Sequence, residues 1–282
     1  MATAGTARTP AAATPRAAQA GRLSTVEAVR RMAPYWLTVS LRTWRGSVVS
    51  AFLAPVFYVV AMGVLLGGFI DSDPARLEGA PTYLAFIVPG LVAGHAMQTA
   101  VADTSWPVFS NFKWNRVYDS MVATPITVRQ VAVAHLFFVW VRVTVVCAIF
   151  DLVVAPFDVY AAWWSPVAAL GAQSLTGLAF ATLMYGYSCR ISSDAAFGVV
   201  FRLAVFPLFL FSGAFFPVAN LGPVGEVVAK LTPLWHGVNL SRTCSLATLE
   251  PGTALLNVGV LLAVAGLGAW WATSGLERRM AS

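Results

Sequence analysis

VRQVAVAHLFFVWVRVTVVCAIFDLVV, residues 128–154, is a run of mainly apolar residues whose only acidic or basic side chains are Arg129, His135, Arg142 and Asp151. A helix crosses the hydrocarbon of a bilayer in about 20 residues, and this run exceeds that length. Five more runs of similar character follow or precede it: Ser47–Ile70, Tyr83–Val108, Trp163–Tyr187, Ala195–Phe216 and Thr253–Ser274. Together they predict an all-α integral membrane protein with six transmembrane helices. Composition agrees, at 58% hydrophobic and 11% charged residues with a mean hydropathy of +0.73. A soluble domain carries about 25% charged residues, so water is not the solvent for most of this surface.

The formal charge of +6 does not point to nucleic acid, because the basic residues flank apolar runs and form no continuous groove. Arginine outnumbers lysine sixteen to two, as in GC-rich bacterial genomes. Cys147, Cys189 and Cys244 lie far apart with no CxxC pair, so neither a disulfide framework nor a metal site is expected. Residues 1–21 lack the apolar stretch of a signal peptide and are expected to form a disordered cytoplasmic tail.

Residues 22–46 read differently. Ser24 and Glu27 give the S-x-x-E capping pattern of a helix start. Val26, Val29, Ala33 and Trp36 recur at helical spacing, with Arg30, Arg31, Arg42 and Arg45 supplying a cationic side. That pattern predicts an amphipathic helix lying in the membrane interface, kinked or divided in two at Pro34. The six-helix domain is then residues 47–274, followed by a short cytoplasmic tail at 275–282.

Basic residues fix the orientation, since cytoplasmic loops are enriched in lysine and arginine. With both termini in the cytoplasm, fourteen of the eighteen basic residues face inward. Only Arg76, Lys230 and Arg242 fall outside, and Arg142 lies within a span. On the outer side, residues 217–252 hold two short helical patterns. Gly222–Pro223 opens the first, with Glu226 and Lys230 spaced for an i,i+4 pair. Thr232 as N-cap and Pro233 at N1 open the second, which carries Trp235 and His236. Two half-length helices in one outer connection predict a re-entrant hairpin before the last span.

Four blocks in this order give a resemblance. They are WRGSVVSAFLAPVFYVVAMGVLLG with Arg45, Pro55, Tyr58, Gly63 and Gly67; YLAFIVPGLVAGHAM with Tyr83, Phe86, Pro89 and Gly90; KWNRVYDSMVATPITVRQVAVAH; and FPLFLFSGAFFPVANLGPVGEVVAKLTPLWHGVNLSR with Phe211, Ser212, Gly213, Phe216, Pro217, Pro233, His236 and Arg242. From about Arg22 to the C-terminus the chain resembles an ABC-2 type transporter permease, in the branch of the nodulation lipo-oligosaccharide exporter and the daunorubicin-resistance permease. Gly222 departs from that pattern, where proline often follows the leucine directly. The resemblance implies a bacterial export permease of the cell membrane, not an enzyme in itself. It would pair with itself or a related permease and work with an ATP-binding-cassette ATPase subunit that binds ATP and magnesium. The sequence contains no P-loop, for neither lysine follows a glycine.

Residues 110–124 alternate Phe112, Trp114 and Met121 with Lys113, Arg116 and Asp119. Taken alone they suit a solvated loop or a short amphipathic docking helix equally. The resemblance implies that they dock the ATPase. Charges within the spans are costly in lipid. Asp103, His135 and Arg202 fall at similar depth and are read as a polar cluster, serving first to rigidify the bundle. Arg142 is deeper, without an equally deep acid, and is a candidate conduit-facing residue; His95 is a second. No Ser/His/Asp or H-E-x-x-H constellation occurs, so no catalytic residue is assigned. An intramembrane enzyme and a passive channel are the rival readings. The cargo class stays open among amphipathic, lipid-linked and hydrophobic solutes, from glycolipid export to multidrug efflux, in contact with membrane lipid throughout.

The charge asymmetry makes a direct prediction. In a cysteine-free background, cysteines placed near Asp73 and Gly225 should react with an impermeant maleimide added to intact cells. Positions near Lys113 and Arg279 should stay protected until the cells are opened, and external labelling at Lys113 would reverse the topology.

Overall fold

The computed structural model describes residues 23–58, 60, 61 and 77–281. The expected tail at 1–21 lies outside the described residues, as do residues 62–70 of the expected first span. Every element described is helical.

Helix α1, Thr25–Tyr58, starts where the capping pattern placed it: the Glu27 amide donates to Ser24 Oγ at 3.2 Å, and Glu27 pairs with Arg30 and Arg31. It runs as one helix through Pro34, and the Thr38 hydroxyl donates to the Pro34 carbonyl at 2.6 Å. Its buried stripe is Ala28, Met32 and Trp36, spaced by four, whereas Val26 is 80% exposed. Of the stripe read in the sequence, Trp36 is buried and Val29 packs on the core, whereas Val26 points outward, because α1 is apolar on more than one side and only one side meets the bundle.

Helix α2, Tyr83–Thr104, is capped by the Thr82 side chain, which accepts from the Ala85 amide. At Ser105 the chain bends, and α3, Trp106–Lys113, begins with a proline in its first turn. Helix α4, Val117–Val122, leads to α5, Val128–Val154, which opens with a complete capping box between Thr127 and Gln130. Gln130 also donates to the Leu23 carbonyl at 2.6 Å, tying the start of α1 to α5. Helix α6, Ser165–Ser188, packs against α2 and α5 and against two helices still to come.

The fifth apolar stretch does not form one smooth span. It divides into α7, Ala195–Val200, a π-helical turn at Phe201–Val205, and α8, Phe206–Phe211. Pro207 has no N–H for the Leu203 carbonyl, and the Phe206 amide reaches back to the Phe201 carbonyl instead. The two short helices expected next are present as α9, Gly222–Lys230, and α10, Pro233–Ser245. Glu226 and Lys230 pair at 2.6 Å, and Thr232 caps α10 by accepting from the Trp235 amide. Helix α11, Pro251–Ala281, continues beyond Ser274 to the end of the described chain.

Among the described residues four helical stretches are long and apolar enough to cross a membrane: 83–113, 128–157, 165–188 and 251–281. The fifth stretch is a broken helix shorter than these. Large apolar residues cover the perimeter, among them Leu152 at 75% exposed, Val167 at 75% and Leu255 at 74%. A soluble protein does not expose apolar residues on this scale, so the chain is a multi-pass membrane protein.

Arg242 of α10 closes one end of the bundle. Its Nη1 pairs with Glu78 Oε2 at 2.7 Å, Nε donates to the Phe86 carbonyl at 3.0 Å, and Nη2 donates to the Gly213 carbonyl at 2.7 Å. The guanidinium lies 3.8 Å from the centre of the Phe86 ring. One side chain thereby fastens α10 to the start of α2 and to the turn after α8. Arg242→Ala strips the partner from two buried carbonyls and should cost about 2–4 kcal/mol, read as a lowered unfolding temperature in detergent. Glu78→Gln keeps an acceptor on a half-exposed side chain and should cost less than about 1 kcal/mol.

Candidate functional site

Two neighbouring features gather most of the residues singled out in the sequence. The first is the turn between α3 and α4. Residues 110–124, which suit a solvated loop or a short amphipathic helix, form two short helices broken at Trp114–Arg116, with Arg116 in the left-handed region at φ 48°. A continuous helix would carry its residues around one axis, whereas this reversal sorts them by polarity. Lys113, Arg116 and Asp119 are exposed, and so is Trp114 at 56%. Phe112 and Met121 turn inward and pack on the core. The last turn of α11 covers Phe112, with the Arg279 guanidinium 5.0 Å from its ring. Close by, Arg129 of α5 and Glu277 of α11 pair at 2.7 Å across a cavity of about 730 Å³ that Asp119 also lines.

This turn is anchored by a residue the sequence reading passed over. Tyr118 of α4 is fully buried. Its hydroxyl accepts from Tyr185 of α6 at 3.2 Å and donates to His135 Nδ1 of α5 at 2.6 Å. Burial pushes the Tyr118 phenol above its ordinary value, so it remains a donor. The His135 ring stacks on Trp36 of α1 with centroids 4.0 Å apart. One tyrosine at the base of the exposed turn therefore meets α5 and α6 directly and α1 through the imidazole. The clue in the sequence was a lone tyrosine amid charged residues, ahead of a histidine in an apolar run.

The second feature is the polar cluster, and here two expectations are corrected. Asp103 of α2 pairs with Arg142 at 3.2 Å, so Arg142 does have an acidic partner. The depth argument failed because an arginine stem is long enough to carry its head group well over a turn along the helix. Arg202 does not join the cluster; it is exposed on the π turn, which faces away at that register. The group the structure brings together is Asp103, His135 and Arg142, lining a cavity of about 270 Å³ with Trp36 and Ser40 of α1.

The remaining residues sit apart from both features. His95 is partly buried, its ring 5.9 Å from Phe150, inside the bundle. His236 is buried and donates from Nδ1 to Asn257 Oδ1 of α11 at 2.7 Å, while its neighbour Trp235 lies beneath Lys230. Glu226 is engaged by Lys230.

An exposed polar turn is thus joined to the bundle through a buried tyrosine. Residues 36–245 match the family described as ABC-2 type transporter. The chain is 27% identical to nodulation protein J of Rhizobium meliloti strain 1021, over 87% of this chain and 89% of that protein. It is 28% identical to nodulation protein J of Sinorhizobium fredii, covering 88% and 94%. To the inner membrane transport permease YadH of Escherichia coli K12 it is 24% identical, covering 71% and 75%. With most of its length inside that match, the chain belongs to the ABC-2 type transporter family, the membrane subunits of ATP-binding-cassette transporters.

Proposed function

We propose that the chain is the permease of an exporter, moving an amphipathic, lipid-linked or hydrophobic solute outward across the cytoplasmic membrane, driven by a separate ATPase subunit. Two permease chains, identical or related, would form the conduit. In this reading six spans cross the membrane with both termini in the cytoplasm, and α9 and α10 form a re-entrant hairpin on the outer side. The inward bias of the basic residues supports that orientation. The names of the relatives support transport, and the apolar perimeter suits a cargo that shares the membrane.

One observation carries the coupling: the exposed group Lys113, Trp114, Arg116 and Asp119 stands on a turn whose tyrosine is set into the bundle. An exposed tryptophan among charges is a surface in want of a partner, and the charges would set register. A docked ATPase would push on this turn, and Tyr118 would pass the displacement to α5 and α6.

Trp114→Ala should weaken co-purification of the ATPase by about tenfold or more, since one large aromatic at an interface is worth about 2 kcal/mol. Arg116→Glu should do the same through charge reversal, and both variants should insert and fold normally. Normal binding and normal transport in both would remove the docking assignment and favour a channel. For the hairpin, Trp235 fluorescence should resist aqueous quenchers in vesicles; full quenching would place it in an exposed loop.

A further inference from the structure

Near the far end of α5, a buried carboxyl lies outside everything assigned above. Asp151 is 5% exposed. Its Oδ1 accepts from the Tyr160 hydroxyl at 2.7 Å and from the Gln173 side-chain amide at 3.1 Å. The same Gln173 nitrogen donates to Ser241 Oγ of α10 at 3.3 Å. A single amide therefore joins α5, α6 and α10.

Two acceptors are left over. Asp151 Oδ2 and Gln173 Oε1 are both buried without a hydrogen-bond partner. No arginine, lysine or histidine among the described residues forms an ion pair with Asp151. The ionisable groups that face it are Cys147, one turn back on α5, and the Tyr160 hydroxyl from the following loop. Toward it α6 turns Gln173 and α10 turns Ser241, neither of which titrates. Arg242, next along α10, spends its donors on Glu78, Phe86 and Gly213.

An ionised carboxylate in this position would be an uncompensated charge in a low-dielectric interior. It would also leave Asp151 Oδ2 and Gln173 Oε1 both unsatisfied, since each can only accept and no donor reaches either. An un-ionised acid changes both counts, removing the charge and adding an O–H on the very oxygen that lacks a partner. We propose that Asp151 is a proton-binding site, occupied at neutral pH, whose bound proton completes the junction that holds α10 against α6. The ligand is a proton taken from water onto Oδ2. Its loss would leave an uncompensated negative charge in the junction and loosen the Gln173–Ser241 contact. The inference is independent of the export reading, since it concerns how α10 is fastened.

The test uses the full chain, purified in detergent, and difference infrared spectroscopy of wild type against Asp151→Asn. Wild type should show the C=O stretch of an un-ionised carboxyl at neutral and mildly alkaline pH, sensitive to deuteration, and Asp151→Asn should remove it. Asparagine supplies an N–H where the acid supplies an O–H, so this variant should keep its unfolding temperature. Tyr160→Phe, which takes one donor from Oδ1, should shift the band without abolishing it. Absence of the band in wild type overturns the proposal without recourse to any variant. So does a band that survives Asp151→Asn, a band unmoved by Tyr160→Phe, or collapse of the asparagine variant. A rise in wild-type unfolding temperature on adding sodium at fixed ionic strength, lost in Asp151→Asn, would assign a metal cation in place of the proton.

Discussion

Lipid tails are as apolar as leucine, so a bilayer does not press helices together in the way water does. Contact between them rests on close approach, and α6 is where this chain achieves it. Thr176 of α6 lies against Gly237 of α10, and Thr182 of α6 lies against Gly268 of α11; a methyl group at either glycine would collide with the threonine side chain. On its other faces α6 meets α2 and α5. The bundle is thus organised around a helix that brings small and hydroxylated residues to its contacts with α10 and α11. Widening that approach would separate α10 and α11 from the rest, and with them the Arg242 clamp and the Gln173 junction.

Charge inside such a bundle has few stable arrangements, and three of them occur here. Arg242 is buried and surrounded by acceptors, two of them backbone carbonyls. Asp103 and Arg142 pair across α2 and α5, with the arginine reaching toward the more exposed end. Asp151 has no cation paired with it among the described residues, only donors on one oxygen. The first two have an opposite charge within the chain, although Asp103 Oδ2 is itself buried without a hydrogen-bond partner. The third is the arrangement in which a proton is the simplest neutralising partner.

Much of the architecture was legible because helices in membranes announce themselves by length. The capping residues Ser24, Thr82, Thr127 and Thr232 all act at helix starts, and of these Ser24 and Thr232 were named from the sequence. Spacing said less about which face turns inward: on α1 both Val26 and Met32 are apolar, and only packing decides that Met32 is buried. The same limit explains the polar cluster. Depth along a helix follows from residue number, but azimuth does not, so Arg202 matched Asp103 in depth and still points elsewhere. Arg142 was misjudged for a different reason, since counting from its Cα ignores the reach of its side chain. Tyr118, Glu78 and Asp151 were visible as polar residues in or beside apolar runs. Their partners lie 17 residues away in the first case and 164 in the second, distances at which a single sequence carries no pairing signal.

The position of Tyr118 bears on how movement at one end of such a bundle becomes movement within it. A docked partner can displace an exposed turn without effect if the turn hinges freely on its flanking residues. Here the turn has three supports: Lys113 donates to the Ser192 carbonyl ahead of α7, Phe112 sits beneath Arg279 of α11, and Tyr118 is bonded to α5 and α6. Two of these supports are a flexible lysine and a cation over a ring, both tolerant of shifts of an ångström or so. Tyr118 is different, because a buried hydroxyl that loses both partners pays the full desolvation penalty of about 1–3 kcal/mol. The stiff support therefore leads to α5 and α6, and through the His135 stack to α1, while the soft supports lead to α7 and α11. A push on the turn would tilt the first group more than the second, and the boundary toward α11 runs along the face of α6 that carries Thr182 and, one turn on, Gly186, against Gly268 and Trp271.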